Sequence, residues 1–413
     1  MSAAVARILL PLCALTLVAC PSPQGGGSGG DSPGGTSAIT ADIGDFSCDP
    51  VPVPDGDFEL MGDPRACKGG EFVMETNSYP THLNHYGPER SASHKYRYSE
   101  LMFNTLVKVH PNTLEIIPEL AHRWEEIDGG REIIFHIDPD AKWSDGKPIT
   151  SKDVAHTFDM IFHDKIVEVV YKTSLENTGW IGTEVIDEHT IKCKWDRSSW
   201  GNIIGMEDFF IMPAHAIDMD TYLEEWIFEP KVVSGMYELG PYEEGSYFSF
   251  IRRDDFWGEG KRQFIGMGNF DRITWKYYRN SDLYFEAVKK GDIDFALITR
   301  AQRWAEDCDF ERVQKGWIQK VKMYQRQPEV PSQMAFNLEH PIFKDRKVRK
   351  ALMWLYDREY LIEELFYDQY ASKQSFWANS VYANPDNEEI SFNPRKALEL
   401  LAEAGWTKKD TDG

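Results

Sequence analysis

The spacing of apolar and polar residues along the chain predicts an α/β protein. Apolar and polar positions alternate over Glu71–Thr76 and Arg131–Ile137, which is the period of a β-strand. Thr150 followed by Asp153 forms a capping-box pattern, which predicts the start of a helix. Apolar residues then recur at helical spacing, which predicts one buried face: Val154, Phe158, Ile161 and Phe162.

The later part of the chain continues this alternation of helices and strands. We expect Ser281 to cap a helix that ends at Gly291, because serine favours the first and glycine the last position of a helix. A strand over 293–298 is then predicted. The same signals predict three further helices, over 348–355, 357–365 and 394–404.

The first residues have the pattern of an export signal. Arg7 precedes an apolar run over 8–19 that is too short to cross a membrane. Leu17-Val18-Ala19-Cys20 resembles the bacterial lipobox, so we expect a signal peptide over 1–19 and a lipid on Cys20. Because the residues that follow are rich in Gly, Ser and Pro, we expect 20–67 to comprise a flexible tether, over 21–37, and a segment bounded by Cys48 and Cys67.

An exported chain reaches an oxidising compartment, where cysteines can pair. Cys48 and Cys67 bracket a Pro- and Gly-rich stretch with little periodicity, so we expect a disulfide between them. Cys193 and Cys308 are expected to be buried thiols.

Composition narrows the classes of function. The chain has 413 residues, of which 42% are hydrophobic and 13% aromatic, which is typical of a folded globular protein. Lys and Arg number 45 against 67 Asp and Glu, so the net charge is 45 − 67 = −22. Because such a surface repels phosphate backbones, we expect no nucleic-acid partner.

The segment 77–87 predicts a ligand-contacting loop after the first strand, because it is polar and aromatic. Within it His82 and His85 are three residues apart, a spacing that suits a metal on a helix. Pro80 and Gly87 argue against a helix there, so we expect no metal and no cofactor.

Seven motifs resemble, in order, those of the extracellular solute-binding proteins of family 5, which deliver peptides or nickel to ABC importers. They are Pro118–Trp124, Lys142–Val154, Ile211–His215, Gly235–Tyr237, Asp255–Gly258, Gly291–Asp294 and Lys344–Leu352.

Other motifs are similar to the subgroup that imports oligopeptides and microcin C. They are Trp304–Ala305, Phe336–Leu338, Leu365–Tyr367, Gln369–Tyr370, Ser375–Phe376 and Asn379–Ser380. Two positions depart from these patterns: Met236 stands where the family usually has proline, and Tyr356–Glu359 follows the general family rather than the subgroup.

The resemblance implies an α/β, two-lobed periplasmic-binding-protein-like fold with a ligand cleft between the lobes. The first lobe would span 68–282 around an inserted segment of about 98–205, and a partial second lobe would span 283–413. Peptide recognition by such a fold needs hydrogen-bonding groups and aromatic walls. We expect the contacts to come from six residues, each of which has core packing as its alternative role: Tyr79, Asn84, His85, Tyr237, Trp377 and Asn379.

The resemblance also implies that the protein is not an enzyme and works with an ABC permease. We expect a monomer that is held at the cell envelope by its lipid and captures oligopeptides. One alternative is a nickel- or haem-binding importer component. A secreted hydrolase with Asp292 and Asp294 as paired carboxylates is the rival enzyme reading, which their place in a turn disfavours.

The end of the chain raises a further expectation. Asn393–Gly405 resembles a motif that lies well inside the second lobe of relatives, and the chain stops at Gly413. We therefore expect the second lobe to be incomplete, and a non-functional fragment is the corresponding alternative.

Overall fold

The structure is a computed structural model that describes residues 48–76, 78–88, 92–322, 333–373, 375, 377 and 382–408. Contacts between Cα atoms divide the chain into two compact units. Unit 1 extends to Ala296, and unit 2 begins at Leu297. Each unit is described by itself below.

The central sheet of unit 1 has four strands in the order β1-β10-β9-β8. They are β1 (Glu71–Thr76), β8 (Tyr237–Glu243), β9 (Tyr247–Arg252) and β10 (Arg272–Tyr277). β1 runs parallel to β10, whereas the other neighbouring pairs are antiparallel. The predicted alternation of β1 is confirmed, because every second residue from Phe72 is buried.

A second sheet of unit 1 is formed by residues between β1 and β8. Its order is β4-β5-β7-β6, with β4 (Ala121–Ile127), β5 (Glu132–Ile137), β6 (Trp180–Asp187) and β7 (Thr190–Trp195) all antiparallel to their neighbours. The strand predicted over Arg131–Ile137 corresponds to β5 and is confirmed.

Helix α2 (Ser151–Phe162) packs beside strands β6 and β7, and its predicted start is confirmed. The backbone N–H of Thr150 donates to Asp153 Oδ2 at 2.7 Å, which satisfies one of the unpaired groups at the helix N-terminus. The predicted apolar face is buried at three of its four positions, while Phe162 is half-buried. α2 therefore covers one face of the second sheet and shields it from solvent.

The remaining elements of unit 1 are short. They are α1 (Ala92–Met102), β2 (Val107–Val109), β3 (Ile116–Pro118), α3 (Val170–Thr178), α4 (Gly201–Ile204), α5 (Tyr222–Glu225), α6 (Ser281–Lys290) and the 3₁₀ turns Gly205–Asp208 and Arg262–Phe264.

The cap of α6 differs from the expectation. Asn280, not Ser281, is the N-cap, because Asn280 Oδ1 accepts the backbone N–H groups of Asp282 and Leu283 at 3.1 and 2.9 Å. The predicted end at Gly291 is confirmed, with a φ of 79° that favours glycine.

The strand predicted over 293–298 is wrong. Only one bridge forms there, between Met74 and Phe295. The backbone N–H of Val73 donates to the Asp294 side chain at 2.7 Å, so a carboxylate occupies the donor that a continuing strand would need.

Unit 2 is helical in the part that the structure describes. It contains α7 (Glu311–Gln314), α8 (Pro341–Lys344), α9 (Arg346–Leu355), α10 (Arg358–Tyr360), α11 (Pro394–Glu403) and the π-helical turns Arg303–Asp307 and Leu361–Leu365.

The helices predicted over 348–355 and 394–404 are confirmed as α9 and α11, whereas the one predicted over 357–365 is divided between α10 and a π-helical turn. A small apolar cluster lies between α9 and α11, formed by Ala351, Trp354, Ile390 and Ala397.

Residues 48–67 form a closed loop ahead of β1, which we call the stapled segment. Cys48 and Cys67 are joined by a disulfide, with their Cα atoms 5.2 Å apart. Arg262 holds the middle of the loop, because its guanidinium donates to the carbonyl of Pro54 at 2.9 Å and, through Nε, to that of Phe58 at 3.0 Å. The stapled segment is therefore a fixed part of unit 1.

Candidate functional site

Two of the predicted contact residues lie inside the core of unit 1. Asn84 is 3% exposed, and its Nδ2 donates to the carbonyl of Tyr222 at 3.2 Å. His85 is 1% exposed, and its Nδ1 lies 2.7 Å from Ser99 Oγ. Both side chains connect the 77–87 loop to elements behind it, which is the packing role that the sequence left open.

Aromatic rings enclose His85 and explain why it is buried. The rings of Tyr86 and Phe210 meet it edge-on, with centroids 4.5 and 4.9 Å away. Tyr171 lies against the imidazole at 5.3 Å. His85 therefore helps to hold the loop on the core rather than presenting a ring to solvent.

Tyr79 lies at the edge of this core and is half-buried. Its ring meets Phe248 edge-on at 5.8 Å and Tyr277 edge-on at 6.4 Å. Phe228 stacks beside it at 6.3 Å. Burial and nearby Glu244 raise the pKa of the Tyr79 hydroxyl, so it stays neutral.

Tyr237 lies at the other end of the same sheet. It pairs with Arg252 at the last position of β9, whereas Phe248, which contacts Tyr79, is near the first. The Tyr237 side chain is buried, and its hydroxyl donates to the carbonyl of Phe270 at 2.8 Å. The structure therefore separates Tyr237 from Tyr79 rather than bringing them into one site.

The structure describes one of the two contacts predicted in unit 2. Trp377 is 43% exposed, and its backbone N–H donates to Ser375 Oγ at 3.2 Å. Asn379 lies outside the described residues, as does Cys20. Cys193 and Cys308 are buried, as expected.

Four rings meet where β1 and β10 end, and we call them the strand-end aromatic surface: Tyr79, Phe228, Tyr242 and Tyr277. Phe228 and Tyr242 stack with centroids 5.6 Å apart, and Tyr242 is 43% exposed. The carboxyl ends of parallel strands are where α/β sheets commonly bind ligands. The geometry therefore marks this surface as the candidate site in unit 1.

The sequence pointed to only one of these four residues. Phe228 is separated from β1 by about half of unit 1 in sequence, and Tyr242 belongs to β8, for which we predicted no element. Tyr277 ends β10, whose pairing with β1 brings it beside Tyr79. The missing information was the parallel register, which a single sequence does not reveal.

An acidic group borders the strand-end aromatic surface. Glu244 is exposed in the turn between β8 and β9, close enough to Tyr79 to act on its hydroxyl. Flat rings beside carboxylates can hold an apolar group and accept hydrogen bonds from amide or ammonium groups.

Among the described residues, no three His, Cys, Asp or Glu side chains come together as metal ligands would. Within the same residues, no helix combines the length and the apolar character that a membrane span needs.

Two curated bacterial proteins are similar to this chain in sequence. A binding protein of Brucella suis is 31% identical over 323 residues, which cover 75% of this chain and 49% of the relative. A protein of Agrobacterium fabrum, named as a probable peptide-binding protein, YejA, is 28% identical over 332 residues, which cover 78% of this chain and 52% of the relative. The chain therefore spans about half the length of the curated relatives it matches.

A solved structure shares the fold. The oligopeptide-binding protein AppA of Bacillus subtilis, in complex with a nonapeptide, superposes with a TM-score of 0.63 at 22% identity. The superposition covers 84% of this chain and 66% of AppA. The expected α/β fold of the two-lobed periplasmic binding proteins is confirmed.

The family description matches most of the chain. The pattern of the bacterial extracellular solute-binding proteins, family 5 Middle, covers residues 115–413. This confirms the resemblance seen in the sequence motifs. The chain belongs to the bacterial extracellular solute-binding proteins, family 5.

Proposed function

We propose that this protein is the substrate-binding component of an ABC importer and that it captures oligopeptides outside the cytoplasmic membrane. Membership of an extracellular solute-binding family supports the exported, transport-related role. The relative named for peptide binding and the fold shared with a nonapeptide complex support peptides as the substrate class.

The observation that carries the proposal is the strand-end aromatic surface. Peptides differ in their side chains but share their backbone, so a general receptor needs adaptable apolar contacts and a few fixed polar groups. The stacked rings of Phe228 and Tyr242 offer an apolar wall. The carboxylate of Glu244 offers an acceptor for a peptide amine or amide.

The same proposal includes a lipid anchor on Cys20 and an ABC permease as partner. The lipobox and the Gly-, Ser- and Pro-rich stretch after it support the anchor. We expect mass spectrometry of membrane fractions to find a mature N-terminus at Cys20 that carries a diacylglycerol. A mature protein that retains residues ahead of Cys20 would contradict the anchor but leave peptide binding untouched.

Calorimetry tests the peptide-binding role. The full mature chain is titrated with a mixture of synthetic tri- to nonapeptides, and the Tyr242→Ala variant is titrated in the same way. Tyr242 is exposed, so its removal should leave the fold intact while it takes away one wall of the site. We expect peptide binding to weaken about tenfold, the effect of losing about 1.4 kcal/mol of ring contact.

Trp200→Ala is the matched control. Trp200 is also a large exposed aromatic residue of unit 1, but it is not part of the strand-end aromatic surface. It should bind peptides like the unaltered protein. Equal weakening by both substitutions, or no peptide binding by the unaltered protein, would contradict the proposal. A titration with Ni²⁺ alone tests the nickel-binding alternative, and light scattering tests the expected monomer.

A further inference from the structure

A cavity of about 100 Å³ lies in unit 1 at the end of the central sheet opposite the strand-end aromatic surface. Phe72 on β1, Tyr237 on β8 and Ile273 on β10 line it. Phe270 also lines it and stacks on Phe72 with centroids 4.7 Å apart. Phe72 and Thr76 are four residue steps apart on β1, a distance of about 13 Å along a strand, so the two sites are distinct.

Thioether side chains line the cavity as well. Met61 comes from the stapled segment, and Met236 and Met267 come from the loops beside β8 and β10. Gly62 lets the stapled segment approach closely, since a Cβ there would lie only 2.5 Å from the backbone of Gly266. Methionines adapt their shape to small ligands, so these walls suit an apolar group of varied outline.

Charged and amide groups line the same cavity. Lys108 Nζ lies 2.8 Å from Glu100 Oε1, and both side chains are largely buried. Glu119 is buried beside them, where its carboxylate accepts the amide of Asn104 at 2.9 Å and the backbone N–H of Thr105 at 2.8 Å. The lining therefore holds two carboxylates and one ammonium.

Two more carboxylates lie close behind the lining. Glu207 Oε2 accepts the backbone N–H of Val109 at 3.0 Å, and its charge interacts with those of Lys108, Glu100 and neighbouring Asp208. Burial raises the pKa of the Glu119 carboxyl although the charge of Lys108 opposes the shift, because enclosing the charged form costs free energy. A cation in the cavity would stabilise the charged form.

We propose that this cavity binds a small organic ammonium ion. Its negative surroundings attract a cation, and the aromatic faces of Phe72 and Phe270 favour one that carries its charge on an apolar body. A hydrated metal ion is a poor occupant, because such ions take six or more oxygen ligands and rings and thioethers cover much of the wall. An anion would meet the excess of carboxylates.

The volume limits the size of this ligand. An engineered apolar cavity of about 150 Å³ accepts benzene, so about 100 Å³ suits a smaller group, of roughly four or five heavy atoms. Tetramethylammonium has this size and charge. tert-Butanol is its neutral counterpart of equal size, so these two probes differ mainly in charge, and pivalate is a slightly larger anionic probe.

Methionine methyl NMR provides the readout. The full mature chain is labelled with ¹³C at the methionine methyl groups and titrated with each probe in turn. We expect tetramethylammonium to shift the signals of Met61, Met236 and Met267, at concentrations at least about tenfold lower than tert-butanol. Pivalate and potassium chloride should shift none of the three. Met160, which is fully buried elsewhere in unit 1, is the internal control.

A variant separates the ring contact from simple filling of space. Phe270→Leu keeps an apolar wall but removes the aromatic face, so tetramethylammonium should bind about threefold or more weakly while tert-butanol binding is unchanged.

Equal binding of the charged and neutral probes would overturn the proposal, as would the absence of shifts at the three cavity methionines or an equal shift at Met160. These results are read on the unaltered protein, so they stand even if the variant misfolds. Peptide titrations report on the other end of the sheet, so failure of either proposal is recognisable by itself.

Discussion

The two ends of the central sheet of unit 1 treat similar residues in different ways. At the strand-end aromatic surface, Tyr242 stays 43% exposed. At the cavity end, Tyr237 is buried and its hydroxyl is used by the carbonyl of Phe270, while charged groups are enclosed with it. Exposed residues of the strand-end aromatic surface can therefore be replaced with little loss of folding stability. At the cavity end, by contrast, binding of a ligand is coupled to the stability of unit 1.

Removal of the buried ammonium should have the largest effect on this contrast. Lys108→Met keeps much of the apolar stem but leaves Glu100 and Glu119 enclosed without their cation. We expect the free energy of unfolding to fall by about 3–5 kcal/mol, the usual loss when one partner of a buried ion pair is deleted. Urea unfolding followed by circular dichroism measures it.

The matched control neutralises the remaining partner. Adding Glu100→Gln to Lys108→Met removes the charge left behind, so part of the lost stability should return. If the double variant is as unstable as the single one, lost packing rather than charge explains the effect.

The pH dependence of unfolding should sharpen the same contrast. Burial and the charge of Asp208 raise the pKa of Glu207 to about 7 from an ordinary value of 4.5. The folded protein therefore holds a proton on Glu207 that the unfolded chain loses above pH 4.5, so the contribution of this group to stability is greatest below that pH and declines as the pH rises to about 7. The total loss is about 3 kcal/mol.

Glu207→Gln tests this assignment, because glutamine keeps the acceptor for Val109 but does not titrate. We expect the decline between pH 4.5 and 7 to flatten in unfolding curves of this variant. Glu224→Gln, on an exposed position of α5, should leave the decline unchanged. A decline that persists with Glu207→Gln would assign it to other groups.

Removal of the Cys48–Cys67 disulfide tests how much the stapled segment contributes to the stability of unit 1 at the cavity end of the sheet. Replacing Cys48 and Cys67 with serine frees a loop whose ends are 19 residues apart. Without the bridge the unfolded chain regains conformational entropy, which should lower the free energy of unfolding by about 3 kcal/mol. We expect dithiothreitol to lower the unfolding midpoint of the unaltered protein toward that of the variant and to leave the variant unchanged. An unaltered protein that is insensitive to complete reduction would contradict this.

The smallest effect on the free energy of unfolding is expected at the strand-end aromatic surface. Tyr242→Ala removes an exposed ring and should change the free energy of unfolding by no more than about 0.5–1 kcal/mol, in contrast to its larger effect on peptide affinity. Thermal unfolding beside the calorimetric titration checks both values. A large stability loss would mean that Tyr242 is a packing residue and that the two ends are alike.

Local patterns were sufficient for much of the fold. The alternation over Glu71–Thr76 and the capping box at Thr150 each specify a local conformation, and the structure has both. The strand predicted over 293–298 failed because the Asp294 carboxylate took the Val73 N–H, a contact over more than 200 residues. Competition of this kind between side chain and backbone cannot be read from periodicity.

The candidate site was harder to predict for the same reason. Tyr79 was identified because it follows a predicted strand, but Phe228, Tyr242 and Tyr277 reach it through long-range pairing. Asn84 and His85 have the polar, aromatic character of ligand contacts, and the structure uses them inside the core. Residue type alone does not distinguish a buried hydrogen bond from an exposed one.

The stapled segment also determines how unit 1 would respond to mechanical force. A pull on the chain ahead of Cys48 passes through the sulfur atoms directly to Cys67, only four residues before β1 begins. The covalent bridge thus bypasses residues 49–66, including Met61 over the cavity. The force would act on β1 and its hydrogen bonds to β10. Residues 49–66, which include Met61 beside the cavity, would carry no tension and would stay in place.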